Sequence, residues 1–202
     1  MKLVALWLCL VCVIVFILQL IFGTDVFILD KALVWHEPWR LVTSIFAHDG
    51  IVHLLSNLFA LALFGLILEG SIGPKRVFWL FMISGILINI FTPYAKSLGA
   101  SGAIYAILGC LTVLRPLMVI WIEMLPMPMF IAALIWVVQD TFGLFFPTNV
   151  GNMAHLGGLG IGLAMGFIWR KQFGEKIKFK KRTNDPTLER ALDDWERKYK
   201  LR

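Results

Sequence analysis

The stretch GASGAIYAILG, residues 99–109, places one serine between glycines at the start of an apolar segment. Small residues in a membrane helix usually serve close packing, because they let two helix backbones approach each other. Ser101 is therefore either a packing residue or a reactive group. The rest of the chain has to decide between these two interpretations.

The composition of the chain is that of a membrane protein. Of its 202 residues 59% are hydrophobic and only 16% are charged, and the mean hydropathy is +0.80. A single soluble domain would need far more polar surface, so that class is excluded. The net charge of +6 lies in the tail, which from Arg170 onward carries 12 Lys and Arg against 6 Asp and Glu. Such a segment predicts a cytoplasmic flank attracted to anionic membrane lipid, and no nucleic-acid binding.

Six apolar runs, separated by glycine, proline and charged residues, are candidates for crossing about 30 Å of hydrocarbon. We predict an all-α membrane protein whose six transmembrane helices, spans one to six, form a core over residues 1–170. A basic cytoplasmic tail with a short helix follows over residues 171–202. The predicted spans cover residues 3–22, 51–69, 76–92, 101–114, 129–146 and 152–169.

The orientation of these spans follows from the charge pattern. With six crossings and a cytoplasmic tail, the N-terminus is cytoplasmic as well. The segment between spans one and two carries Trp35 and Trp39, which predicts a large first outer loop resting at the membrane interface. We expect an integral, multi-pass protein, and a compact core without a targeting extension suits a prokaryotic plasma membrane.

Several polar side chains fall inside apolar spans, where they are costly and need a reason. Counting about 1.5 Å per residue from the cytoplasmic end of each span puts four of them roughly 6–12 Å below the outer boundary. The four are His53, Asn57, Ser101 and His155. Helical spacing sets His53 and Asn57 on one face, and Ser101 and Tyr105 on another.

Two stripes of small residues indicate which helices meet. Residues three or four apart share a helix face, and smooth faces let helices approach closely. One stripe on span six starts at His155, and the other lies on span four just after Ser101. The stripes are Gly158, Gly162 and Gly166 on span six, and Gly102, Ala106 and Gly109 on span four. We therefore expect Ser101 to lie within reach of His155.

A serine beside a histidine suits acyl transfer. The hydroxyl is a weak nucleophile until a base accepts its proton, and histidine is the usual base near neutral pH. The reaction also needs donors aimed at the developing oxyanion. The glycine-rich start of span four can expose the Ser101 backbone N–H, and His53 and Asn57 can add side-chain donors. The pattern predicts a hydrolase site.

These residues closely resemble the rhomboid family of intramembrane serine proteases over about residues 35–170. The motifs are WR at Trp39–Arg40, HLLSN at 53–57, Glu69 at the end of that span, GASG at 99–102 and AHLGGLGIG at 154–162. The resemblance implies a six-helix bundle that hydrolyses peptide bonds in or near the transmembrane helices of single-pass membrane proteins. Its active site would open to the extracytoplasmic side.

The resemblance also implies a role for each site residue. Ser101 would be the nucleophile and His155 the general base, in a dyad without a carboxylate. The Ser101 backbone N–H, His53 and Asn57 would form the oxyanion hole, and Tyr105 would hold the His155 ring. Supporting positions would be Gly99, Gly102 and Gly158, with Trp39 and Arg40 bracing the first loop. Span five and the loop FFPTNVGNM, 145–153, would gate lateral entry of substrate.

Other interpretations stay open. A catalytically silent rhomboid-like protein that binds membrane clients would have the same fold, and a small transporter would need polar residues along a whole path across the membrane. We expect no metal and no cofactor, since no HExxH motif occurs and the histidines form no zinc site. Asp140 is a lone membrane carboxylate, expected to hydrogen-bond a neighbouring helix or water, and whether it tunes the site stays open. His36 and His48 are expected to face solvent or the interface, and the oligomeric state is unknown.

Overall fold

Helices make up most of the computed structural model, which describes residues 3–122, 124–146 and 151–179 and the single positions 185, 187, 190 and 194. The described part contains seven α-helices: α1 (Val4–Phe22), α2 (Arg40–Phe46), α3 (Ile51–Ile72), α4 (Pro74–Phe91), α5 (Ser101–Leu114), α6 (Met129–Gly143) and α7 (Asn152–Phe179). By length and composition α1, α3 and α4 could each cross a membrane, and α5 and α6 are shorter apolar helices. Most of the predicted tail helix lies outside the described residues.

Helix ends differ from the predicted span ends where local backbone chemistry overrides hydropathy. α3 continues to Ile72, past the predicted end at residue 69, and stops at Gly73, which has φ +86°. Pro74 then begins α4, two residues earlier than predicted, since the first position of a helix tolerates proline. α6 ends at Gly143 instead of residue 146, and α7 runs on through the basic residues to Phe179.

Helices dominate the described part of the chain, as expected for an all-α protein, and two short pairs of antiparallel strands occur besides them. β1 (Leu29–Asp30) pairs with β2 (Lys96–Ser97), and β3 (Val119–Ile122) pairs with β4 (Leu125–Pro128). The β-branched run of β3 favours an extended strand, and Met124, with φ +68°, lies in the turn that follows. The β1–β2 pair ties the first loop to the segment that leads into α5.

The core is built around α5, nearly all of which is buried, and α5 packs most extensively against α7. The two stripes of small residues face each other as their spacing predicted. A Cβ atom added to Gly158 would lie 2.0 Å from the Gly102 carbonyl oxygen, and one added to Gly162 would lie 2.0 Å from that of Ala106. Backbone therefore contacts backbone, which sets the start of α5 beside the start of α7.

The first loop holds the segment that precedes α5. The Arg40 guanidinium donates to the carbonyl oxygens of Asp25 at 2.6 Å and Ile28 at 2.8 Å, and also bonds the Glu37 carboxylate. The Gly99 N–H donates to the Ser44 carbonyl oxygen at 2.8 Å. Trp39, which we predict to brace this loop together with Arg40, is 51% exposed. The Arg40 guanidinium thus makes three of the hydrogen bonds that brace this loop.

Candidate active site

Ser101 and His155 meet where α5 and α7 begin. Ser101 is the first residue of α5 and His155 is the fourth of α7. The Ser101 Oγ lies 2.9 Å from the His155 Nε2, which is hydrogen-bond distance. Gly102 keeps the two helices close at this level, because a Cβ there would lie 3.3 Å from the Ala154 carbonyl oxygen. The pair has the geometry in which an imidazole can accept a hydroxyl proton.

The Tyr105 ring supports the imidazole from below. The two ring centroids are 4.2 Å apart and the ring planes differ by 9°, so the rings are stacked. Tyr105 also contacts Trp136 of α6, with centroids 6.2 Å apart. Stacking fixes the plane of the His155 ring but leaves rotation within that plane to be set by hydrogen bonds.

A carboxylate completes the contacts of His155, which corrects the expected dyad without one. The Asp140 Oδ1 on α6 lies 3.0 Å from the His155 Nδ1. The expected hydrogen bond from Asp140 to a neighbouring helix is present, and its partner is His155. Sequence reasoning missed the partner because the rotation of α6 about its axis is not visible in an apolar segment without a glycine stripe.

His53 faces the serine from α3. The Asp49 N–H points to the His53 Nδ1 at 3.4 Å, which assigns that nitrogen as the acceptor and leaves the Nε2 to carry the proton. Gly99, with φ +116°, makes room for the ring, because a Cβ there would lie 2.9 Å from the His53 Cε1 and 3.9 Å from the Ser101 Oγ. The His53 Nε2–H is thus a donor close to the serine hydroxyl.

Two further donors lie in the same region. Asn57 is buried, and one of its amide N–H groups bonds the His53 carbonyl oxygen at 2.9 Å, which leaves the second as a donor. The Ser101 N–H is the first amide of α5, and the first N–H groups of a helix have no partner inside it. The helix dipole adds partial positive charge there.

These groups line one cavity of about 810 Å³. Its wall includes the predicted site residues His53, Asn57, Gly99, Ser101, Gly102, Tyr105 and His155. Residues of α4 and Trp136 of α6 add apolar surface. Four of the loop residues expected to gate this cavity, 147–150, lie outside the described residues.

His48 is buried, which corrects the expectation that it faces solvent or the interface. It is 1% exposed, and its backbone is held by the Gln19 side chain of α1 through bonds of 2.9 and 3.2 Å. Burial, and to a smaller extent the neighbouring His53, lower the pKa of His48 to about 4. The two rings meet edge to face with centroids 5.1 Å apart, so a neutral His48 supports the His53 ring.

Comparison with known protein families identifies the family of this chain. The family model of the rhomboid domain matches residues 35–172, which include Ser101, His155, Asp140, His53 and Asn57. The chain belongs to the rhomboid family. RHOMBOID-like protein 1 of Arabidopsis thaliana is 35% identical over 145 residues, which are 69% of this chain and 37% of that protein. This chain thus spans less than half the length of that plant relative.

Two bacterial rhomboid relatives are named as proteases. The rhomboid protease GluP of Bacillus subtilis is 35% identical over 133 residues, 61% of this chain and 24% of that protein. The rhomboid protease GlpG of Haemophilus influenzae is 28% identical over 135 residues, 65% of this chain and 70% of that protein. Proteolysis is therefore an activity of the family to which this chain belongs.

Proposed function

We propose that this rhomboid is an intramembrane serine endopeptidase in which Ser101 is the nucleophile and His155 the general base. Its substrates are single-pass membrane proteins, cut in or near their transmembrane helices. The observation that carries the proposal is the 2.9 Å contact between the Ser101 Oγ and the His155 Nε2 in a cavity large enough for an extended peptide segment. A silent client-binding relative would need neither group in this geometry.

The reaction follows from these positions. As the Ser101 Oγ attacks the peptide carbonyl carbon, its proton passes to the His155 Nε2, and the carbonyl oxygen becomes an oxyanion. The C–N bond then breaks, and the same proton moves from the Nε2 to the leaving amine. Water, deprotonated by His155, hydrolyses the acyl-enzyme and restores the serine hydroxyl. Three donors meet the oxyanion: the Ser101 N–H, the His53 Nε2–H and the Asn57 amide.

The membrane arrangement proposed for this reaction has six spans, formed by α1 and α3 to α7, with both termini in the cytoplasm. His53, Ser101 and His155 all stand within the first turn of their helices, which puts the cavity at one end of the bundle. The basic residues after the last span favour the other end as the cytoplasmic one. The cavity then opens to the extracytoplasmic side, and substrate enters laterally past α6.

The test is cleavage of a single-span reporter protein by the purified chain reconstituted in liposomes. We expect Ser101→Ala and His155→Ala to abolish cleavage, since each removes one reacting group. Ser71→Ala is the matched control, because the Ser71 hydroxyl bonds the Ile67 carbonyl oxygen of its own helix α3. Cleavage that persists in Ser101→Ala would show that the nucleophile is misassigned. A folded wild-type protein that binds reporters without cutting any would favour the client-binding alternative.

A further inference from the structure

The carboxylate of Asp140 touches the base on the side away from the serine. Its Oδ1 lies 3.0 Å from the His155 Nδ1, and the two residues are 5% and 9% exposed. A carboxylate in an apolar helix is costly unless it is paired. The Asp140 Oδ2 has no hydrogen-bond partner in the described part of the chain, so the bond from the Oδ1 to His155 is what pairs this carboxylate, with the Tyr105 hydroxyl as a second polar neighbour.

We infer that Asp140 is the positioning residue of a Ser101–His155–Asp140 triad, an inference that rests on the proposed function. A neutral imidazole carries one N–H, and the nitrogen without it is the acceptor. The His155 Nε2 can accept the serine proton only if the Nδ1 carries the hydrogen. A carboxylate at the Nδ1 accepts that hydrogen and cannot donate one, so it selects the reactive tautomer.

Asp140 and Tyr105 fix the ring in complementary ways. Stacking on Tyr105 holds the plane of the imidazole, and the bond to Asp140 fixes its rotation within that plane, so that the Nε2 points at Ser101. The charged and titratable groups around His155 come from three other helices: Asp140 on α6, Tyr105 on α5 and His53 on α3. The Tyr105 hydroxyl also lies close enough to Asp140 to interact with it electrostatically.

The same contact has an electrostatic part. When the Ser101 proton moves to the Nε2, His155 becomes an imidazolium, with one hydrogen on each ring nitrogen. The Nδ1 hydrogen stays on the imidazole and remains bonded to the Asp140 carboxylate, which keeps its charge throughout. Because both groups are almost fully buried, their attraction is little screened by water. Asp140 therefore stabilises the ion formed during attack and not the resting state alone.

A purely structural tie between α6 and α7 would use the same two atoms but would not depend on charge or tautomer. Two substitutions separate the possibilities. Asp140→Asn keeps a neutral acceptor of nearly the same shape, so a tie between the helices survives. Asp140→Leu removes the acceptor and leaves an apolar side chain suited to the surroundings. Thr141→Val is the matched control, because Thr141 is the exposed neighbour on the same helix.

The tautomer can be measured without any protease assay, which separates this inference from the proposed function. The chain has four histidines, so ¹⁵N-histidine labelling gives few signals, and His155→Gln identifies those of His155. In the wild type we expect the Nδ1 to be protonated and the Nε2 to be unprotonated. In Asp140→Leu we expect the Nε2-protonated form to appear. A wild-type ring protonated at the Nε2, or a tautomer unchanged in Asp140→Leu, would overturn the inference.

Kinetics on the liposome reporter give the second readout. We expect kcat to fall by about 10²- to 10⁴-fold in both Asp140→Leu and Asp140→Asn, because a neutral amide carries no charge and can itself donate to the Nδ1. We expect no fall in Thr141→Val, and KM little changed in each variant. A wild-type kcat in Asp140→Asn would show that the contact is only a tie between the helices. Unchanged kcat in a folded Asp140→Leu would refute the positioning role. If no variant and no wild-type sample cuts the reporter, the proposed function fails, and the tautomer result still decides the part assigned to Asp140.

Discussion

Gly158→Ala tests whether the close approach of α5 and α7 is what brings the serine to its base. An added Cβ would lie 2.0 Å from the Gly102 carbonyl oxygen, whereas ordinary contact begins at 3.4 Å. The clash is with backbone, so the helices have to separate by about 1.4 Å one turn away from His155. Such overpacking costs about 1–3 kcal/mol of stability. The 2.9 Å contact between Ser101 and His155 would lengthen beyond the ~3.2 Å reach of a hydrogen bond.

We expect kcat on the liposome reporter to fall by about 10²-fold in Gly158→Ala, which is the usual cost of misplacing a reacting group by about 1 Å. Gly157→Ala and Gly160→Ala are matched controls on the same helix, because a Cβ at either position meets no described atom within 4 Å. Both should keep wild-type kcat and an equal or higher Tm, since alanine favours helix over glycine by about 1 kcal/mol. Equal activity in all three variants would refute the packing argument.

Two further predictions concern stability, measured as Tm in detergent. Burial lowers the pKa of His48 to about 4 from its ordinary 6.5. Between these two pH values the unfolded chain binds a proton that the folded chain does not. The free energy of unfolding should therefore fall by roughly 3 kcal/mol as the pH drops from 6.5 to 4. In His48→Asn, which can still donate to the Phe46 carbonyl oxygen, that part of the pH dependence should vanish; an unchanged profile would contradict the assignment. Glu69→Gln should lower the Tm by about 2–4 °C. The reason is that the Glu69 carboxylate accepts hydrogen bonds from the N–H groups of Leu3 and Ala5 at the start of α1. An unchanged Tm would mean that the charge of Glu69 contributes nothing to these bonds.

The meeting of Ser101 and His155 could be predicted from the sequence, because it depends on regular helix geometry. Depth follows from a fixed rise per residue, and the facing stripes follow from the helical period. Glycine at 158 and 162 leaves one way for α5 and α7 to pack closely. The arrangement just before α5 could not be predicted in this way. Gly99 and its hydrogen bond to Ser44 belong to a loop, and loop conformation leaves no regular spacing of residues in the sequence.

The hydrogen-bond partner of Asp140 and the burial of His48 could not be predicted from hydropathy. Asp140 stands three residues before the end of α6 and His155 three residues after the start of α7, so a short connection between antiparallel helices puts them at one level. Their similar depth, together with the need of a carboxylate in a membrane for a partner, was the sequence signal that could have predicted this contact. His48 is buried because Gln19 crosses from α1 to hold its backbone. The uncharged polar Gln19 in an apolar span was the signal there.

Activation of one serine hydroxyl by one imidazole is the central claim, and labelling with a fluorophosphonate probe tests it most directly. The probe reacts only with an activated serine, and mass spectrometry of the digested protein locates the adduct. We predict a single adduct on Ser101 in the wild type and none in His155→Ala, with both proteins folded by thermal melt. An adduct on another serine, or equal labelling of Ser101 when the imidazole is gone, would contradict the account.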